Sequence, residues 1–178
     1  LPTGGGKSIC YQLPALMKDG LTLVISPLIS LMKDQVDALR EDGIEASFIN
    51  SSLDFETYID TLNEVRKGKI KLLYISPERL DNEFFRDFLR DINLSFVAVD
   101  EAHCISQWGH DFRPSYKLIA DLYNIIGPNV QIAAFTATAT KEVREDIIND
   151  LALKEPFVKV TGFDRPNLKF IVRKPKDK

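Results

Sequence analysis

The run Leu94–Val99 reads LSFVAV, is apolar almost throughout, and ends directly in Asp100-Glu101. A strand with no polar alternation must be covered on both faces, which suits a parallel sheet between two layers of helices. Such a sheet delivers whatever follows each strand to its carboxyl edge, where ligands sit in folds of this kind. The acidic pair therefore stands where a ligand is met.

The rest of the chain repeats this pattern. Residues 8–18 predict a helix, 21–26 a short apolar strand stopped by Pro27, 30–42 a helix stopped by Gly43, and 45–49 a strand. Phe55, Ile59, Leu62 and Val65 mark one face of the next helix, 71–75 is a strand, and Leu80, Phe84 and Phe88 recur at helical spacing. A helix over 116–126, a strand over 130–135, a helix with Val143, Ile147 and Leu151 inward, and a strand over 157–160 complete the alternation. The expected fold is α/β, a mostly parallel sheet with helices on both faces and right-handed crossovers. Residues 1–160 form one lobe in this reading, and 161–178, with Pro166 and Pro175, form a linker leading elsewhere.

Thr3-Gly4-Gly5-Gly6-Lys7-Ser8 supplies what a triphosphate needs. Glycines let backbone N–H groups wrap phosphates, Lys7 reaches the outer phosphates, and the Ser8 hydroxyl meets Mg²⁺. The helix opening behind them adds its positive end. Leu1 stands where the strict phosphate-loop pattern has its first glycine, and a strand is expected to lead into such a loop, so the natural chain is expected to begin earlier. Asp100 is positioned to hold Mg²⁺ through water, Glu101 to orient and deprotonate the attacking water, and His103 to couple the pair to its surroundings.

Composition restricts the partners. A formal charge of −3 argues against coating DNA by bulk electrostatics, so any nucleic-acid contact must be local. Two cysteines, Cys10 and Cys104, are too few for a disulfide framework or zinc cluster; they are expected to be buried thiols in a reducing, intracellular compartment. No run approaches the ~20 apolar residues of a membrane span, so no membrane partner is expected.

The segment after the acidic pair carries Trp108 and Phe112, whose faces can stack on any base, with Arg113 and Lys117 in reach of phosphates. Two alternatives stand beside this: the aromatic rings plug the core, or Arg113 merely pairs with Asp111 or Asp121. Residues 26–35 are similarly open. Ser26 and Lys33 could touch a DNA backbone, while Ser30 could simply cap a helix and Lys33 lie on its wet face. The charged stretch 141–150 reads as solvated surface.

Together these motifs resemble the superfamily 2, DEAH-box helicases, and the RecQ family of DNA helicases in particular, whose first RecA-like motor lobe the chain is similar to. The resemblance is carried by residues 2–8, 26–35 (SPLISLMKDQ), 76–80 (SPERL), 100–103 (DEAH), 106–114 (SQWGHDFRP) and 135–140 (FTATAT). It implies that Thr3, Gly4, Gly5, Gly6, Lys7, Ser8 and Asp100 bind MgATP and that Glu101 and Lys7 promote hydrolysis. It also implies that Thr136 and Thr138 link nucleotide state to DNA. The loop from Gln107 to Arg113, with Trp108, His110 and Phe112, would sense single-stranded DNA and report through His103. Duplex unwinding with 3′–5′ translocation, roles in DNA repair and recombination, and a second RecA-like lobe as partner follow from the same resemblance. So does a location in the cytoplasm or nucleoid of a bacterium, or in a eukaryotic nucleus. An RNA helicase is the nearer alternative, because stacking and backbone tracking serve either polymer. A phosphate-loop kinase would need an acceptor pocket that the sequence does not offer, and the intact Lys7, Ser8, Asp100 and Glu101 speak against a binding module without catalysis.

Overall fold

The structure, a computed structural model, describes residues 5–161 and residue 171. Thr3 and Gly4 of the phosphate loop lie outside the described residues, as does most of the expected linker 161–178. Among the described residues the chain forms one five-stranded sheet in the order β2-β3-β1-β4-β5, with every neighbouring pair parallel. The strands are β1 (Leu21–Ile25), β2 (Ala46–Ile49), β3 (Leu72–Ile75), β4 (Leu94–Val99) and β5 (Gln131–Ala134). The described helices are α1 (Ile9–Met17), α2 (Ile29–Glu41), α3 (Phe55–Arg66), α4 (Glu83–Asp91), α5 (Leu122–Ile126) and α6 (Lys141–Asp150), and the crossovers that parallel neighbours require run through α2 to α5.

Two separate cores explain why the strands carry so little polarity. On one face α1 and α2 press Tyr11, Ala15, Met32, Val36 and Leu39 onto Val24, Leu72, Tyr74, Phe96 and Ala98. On the other, α3 to α6 cover Leu23, Ile25, Leu73, Ile75, Val97 and Val99 with residues such as Leu62, Phe85, Phe88, Ile119 and Ile147. Successive residues of a strand serve opposite cores, so all five positions of β1 are buried. The connection after β1 runs toward β2, whereas the one after β4 runs toward β5, so the topology divides between β1 and β4. A crevice opens at the carboxyl ends of strands at such a division.

Where the sequence reading and the structure part, local chemistry gives the reason. Leu80, Phe84 and Phe88 do not share one helix: Pro77–Asp81 is a 3-10 turn, and Asn82 starts α4 anew by accepting from the Phe85 N–H at 2.9 Å. The buried face is consequently Phe85, Phe88 and Leu89, and Phe84 is exposed. In α3 the inner residues are Tyr58, Leu62 and Val65; Phe55, first in the helix and capped by Asp54, faces solvent. The stretch 116–126 is mostly 3-10 helix, Pro114–Asp121, followed by the short α5. Tyr116, Ile119, Leu122 and Ile125 are buried every third residue, which matches three residues per turn better than 3.6.

Residues 157–160 form no strand, and Phe157, Val158 and Val160 are exposed. Their β-forming composition does not by itself make a strand, and among the described residues they join no ladder. Cys104 is buried as expected, but Cys10 is exposed on α1. No helix among the described residues is long and apolar enough to cross a membrane.

The helix phase yields a prediction. Phe85→Ala should destabilise the lobe by about 3–5 kcal/mol in urea unfolding. Phe84→Ala, one position away, should cost under about 1 kcal/mol.

Candidate nucleotide and nucleic-acid site

Three strand ends and the phosphate loop build the site. The ladder between β1 and β4 continues one residue beyond the strands, with the Asp100 N–H donating to Ile25 O at 2.8 Å. The chain then turns sharply. Glu101 adopts φ 46°, ψ 44°, a left-handed conformation that costs a non-glycine residue roughly 1 kcal/mol or more. The next N–H, of Ala102, is tied to Phe135 O just past β5 at 2.9 Å. The Tyr116 hydroxyl donates to Asp100 O at 2.8 Å. Bonds from both sides thus hold the acidic pair in a strained turn.

The phosphate loop meets that turn. Gly6 has φ +76°, a backbone form that glycine adopts without strain, and Lys7 follows it. Lys7 Nζ lies 3.9 Å from Glu101 Oε1, with both side chains largely shielded. Gly5 and Gly6 are exposed and Ser8 half-buried at the start of α1.

Burial separates the two carboxylates electrostatically. Asp100 is buried, and desolvation together with the negative charge of Glu101 raises its pKa from 3.8 to about 6, against the pull of the Glu101 N–H, Lys7 and His103. Glu101 moves the other way: its hydrogen bond with His103, helped by the charge of Lys7, holds it below the usual carboxylate range despite burial. His103 Nδ1 stands 3.3 Å from Glu101 Oε2 and 2.9 Å from Thr136 Oγ1. Thr136 Oγ1 donates onward to Thr138 O at 3.0 Å, so it accepts from the ring. Both neighbours of Nδ1 being acceptors, the network assigns the proton to that nitrogen.

From His103 the path enters the aromatic loop. The rings of His103 and His110 stack at 4.1 Å with 16° between their planes, and His110 Nδ1 lies 3.4 Å from Thr138 Oγ1. Gly109 makes the stacking possible, because a Cβ there would sit 2.2 Å from His103 O. Ser106 anchors the loop from below, donating to Asp146 Oδ2 on α6 at 2.5 Å and accepting from the Trp108 N–H at 3.1 Å.

Trp108 is 80% exposed, so it does not plug the core. Gln107 is exposed too, and Phe112 is half-buried with Lys117 Nζ 5.8 Å above its ring. Of the two acids that could have engaged Arg113, the partner is Asp111, at 3.2 and 3.0 Å. A further Arg113 nitrogen donates to Pro27 O at 3.2 Å, which ties the loop to the segment after β1.

In that segment Lys33 is exposed on α2, but Ser26 is buried at 2% and its hydroxyl has no partner among the described residues. Ser26 therefore presents no surface to a DNA strand in this conformation, a correction that follows from its place at the end of a strand covered on both faces. Ser30 is not a cap; it lies inside α2, whose cap position is Leu28. The helix 141–150 has a mostly wet face, with Lys141 and Glu145 paired at 3.7 Å.

Sequence reading missed three supports: the Tyr116 hydroxyl, the close approach at Gly109, and Gln35. Gln35 Nε2 donates to Ser8 Oγ at 2.8 Å. Its signal was present, since Gln35 is a polar residue on the stripe of Met32, Val36 and Leu39 that α2 turns toward the core.

Oxygen donors suit a hard cation, and a buried carboxylate with a raised pKa, reached by the charge of a lysine that follows the glycine loop, fits magnesium carried on phosphates, which keeps few protein ligands. No cluster of three or more His, Cys, Asp or Glu able to hold a metal exists among the described residues, and a phosphate-borne magnesium does not require one.

The fold is that of the helicase RecA-like lobe. The chain superposes on the Pyrococcus furiosus Hef helicase domain with a TM-score of 0.63 at 22% identity, covering 86% of this chain and 32% of that one. The DEAD-box helicase Mss116 bound to ssRNA and UDP-BeF gives 0.63 at 17%, covering 83% and 33%. The chain belongs to the DEAD/DEAH box helicase family, whose model matches residues 1–146. It is 54% identical to the Bacillus subtilis ATP-dependent DNA helicase RecQ over 100% of this chain and 30% of that protein. It is 52% identical to the Pasteurella multocida ATP-dependent DNA helicase RecQ, over 96% and 27%, and 45% identical to the Saccharomyces cerevisiae ATP-dependent helicase SGS1, over 98% and 13%. The chain thus spans under a third of the length of these relatives.

Two predictions follow from the geometry. Asp100 binds its proton more tightly in the fold, pKa about 6, than when unfolded, ~3.9, so its ionisation costs stability as pH rises through that window. Asp100→Asn should raise the stability of the nucleotide-free protein at pH 7 by on the order of 2 kcal/mol in thermal unfolding. The added stabilisation by magnesium nucleotide should disappear in the same variant, and in the wild type it should weaken as pH falls below about 6. Gly109→Ala should open the loop to proteolysis at Trp108 and destabilise the lobe by more than about 1 kcal/mol.

Proposed function

We propose that this chain is the first motor lobe of an ATP-dependent DNA helicase, binding MgATP at the division between β1 and β4 and passing its hydrolysis state to a single strand held on the loop from Gln107 to Arg113. The observation that carries the reading is the meeting of Lys7 and Glu101 at 3.9 Å, from parts of the chain more than ninety residues apart. A cation held between a loop of glycines and a carboxylate pair at a sheet's carboxyl edge has one natural client, a magnesium triphosphate.

Bound magnesium neutralises charge on the phosphates. Thr3 to Gly6 would offer backbone donors, Lys7 would take the outer phosphates, and Ser8 and Asp100 would hold the metal. When Lys7 turns to phosphate, Glu101 loses its cationic neighbour while keeping His103. Its proton affinity rises at the moment it must accept hydrogen from the attacking water. His103 then links that change through Thr136 and, by the stacked ring of His110, through Thr138 to the aromatic loop.

Trp108, exposed and anchored through its backbone N–H, is suited to stack on a base of any identity. Phe112, Arg113 and His110 belong to the same loop, and Lys33 is exposed on α2. The preference for DNA over RNA, 3′–5′ polarity, an intracellular setting and a second RecA-like lobe facing this one rest on the similarity to RecQ helicases. Phosphoryl transfer in such motors relies on positioning and charge, and an arginine from a facing lobe would complete the charge stabilisation here.

Lys7→Ala in the full-length protein should lower hydrolysis by about 10²–10³-fold, read by phosphate release. Trp108→Ala should leave nucleotide affinity unchanged yet weaken stimulation of hydrolysis by single-stranded DNA; undiminished stimulation would remove the loop from the mechanism. Stronger stimulation by RNA than by DNA of equal sequence would favour the RNA alternative.

A further inference from the structure

The helix that follows β1 reaches back to the phosphate loop through one side chain. Gln35 sits on α2 between Met32, Val36 and Leu39, all buried against the sheet. Its amide nitrogen donates to Ser8 Oγ at 2.8 Å. Its amide oxygen faces three donors, the Tyr11 hydroxyl at 3.1 Å, Gln12 Nε2 at 3.1 Å and the Tyr74 hydroxyl at 3.2 Å. Both tyrosines are 1% exposed.

This arrangement fixes which way the carboxamide points. The hydroxyls of Ser8, Tyr11 and Tyr74 can turn to donate or accept, but reversal would set the NH₂ group against Gln12 Nε2, a nitrogen that only donates, at the penalty of buried polar groups without partners. The orientation is dictated from α1 by Gln12, and Ser8 receives its result. A hydroxyl oxygen has two lone pairs. With one taken by Gln35 Nε2, the other is directed before any nucleotide arrives.

We propose that Gln35 is a positioning residue for the phosphate loop: its locked side-chain amide holds Ser8 Oγ in the orientation that meets the magnesium of the bound nucleotide. The inference rests on Ser8 as a magnesium ligand, and extends it by naming the partner behind that ligand. Hydrogen-bonded partners one step behind a metal ligand commonly change metal affinity by about 10–100-fold. Gln35 acts through Ser8, so its effect belongs to magnesium-dependent binding and not to the chemical step.

The test measures binding of a fluorescent ATP analogue to the full-length protein across a magnesium titration and in EDTA. Gln35→Met, close in volume, should raise the magnesium needed for half-maximal binding about 10-fold while leaving affinity in EDTA unchanged. Gln35→Asn keeps a carboxamide but draws it one methylene away from Ser8, and should shift the titration in the same direction. Ser8→Ala should show the loss alone, and adding Gln35→Met to it should cost nothing further. Tyr74→Phe leaves two donors on the Gln35 oxygen and should lower thermal stability with the magnesium titration unmoved.

Wild-type magnesium dependence in both Gln35 variants, alongside a shifted Ser8→Ala, overturns the positioning role and leaves Gln35 as a packing residue. An unshifted Ser8→Ala overturns the assignment of Ser8 to magnesium, and this inference with it. Additive losses in the double variant would also sink it, because Gln35 would then act elsewhere.

Discussion

A buried negative charge at Asp100 is the constraint around which this lobe is organised. A carboxylate at the end of a strand covered on both faces is costly to ionise, and a second carboxylate immediately after it increases that cost. The fold tolerates the pair by dividing labour. Glu101 is kept ionised by His103 and Lys7, while Asp100 is left short of compensation. A site with an unmet demand for positive charge binds a cation in proportion to that demand. The sheet order, the two apolar cores and the strained turn at Glu101 all serve to keep the demand in place.

The same economy runs through the loop that follows. His103 stands at a junction where each neighbour has a defined role: Glu101 and Thr136 accept at Nδ1, His110 covers the ring, and Gly109 supplies the space. Ser106 fixes the loop's stem to α6 and Arg113 fixes its far end to the turn after β1. The loop is therefore pinned at both ends while its tip is solvent-exposed. A contact at the tip has few directions in which to move the backbone, and one of them leads to the ring beside Glu101.

Much of the fold was legible because parallel sheets leave an unusually plain record. Four of the five strands agree with their sequence reading within one residue at each end, and β4 agrees at both. Apolar runs stopped by Pro27, Gly43 and the acidic pair are hard to misread. The misreadings cluster where periodicity is short or shared. Phe84 and Phe88 lie four and eight residues beyond Leu80 along one apparent face, yet Asn82 interrupts it with a cap. Tyr116 to Ile125 repeats every three residues, a 3-10 signature that a search for 3.6 overlooks. Residues 157–160 have the composition of a strand and pair with none among the described residues. In the site, residue types revealed the carboxylates, the lysine and the exposed tryptophan. Relations between side chains stayed hidden: Gln35 behind Ser8, Tyr116 beneath Asp100, and the contact at Gly109 depend on distances across the chain that no local pattern encodes.

The chain contains a single tryptophan, and it stands at the tip of the loop, 80% exposed, away from both apolar cores. The interior is furnished instead with tyrosine and phenylalanine, whose near-ultraviolet signals are weak beside an indole. Emission from this lobe on excitation at the red edge therefore reports one place only. The loop thus carries its own built-in lamp, and on the reading proposed above, arrival of a strand would be watched there by quenching, without attaching a dye to the surface under study.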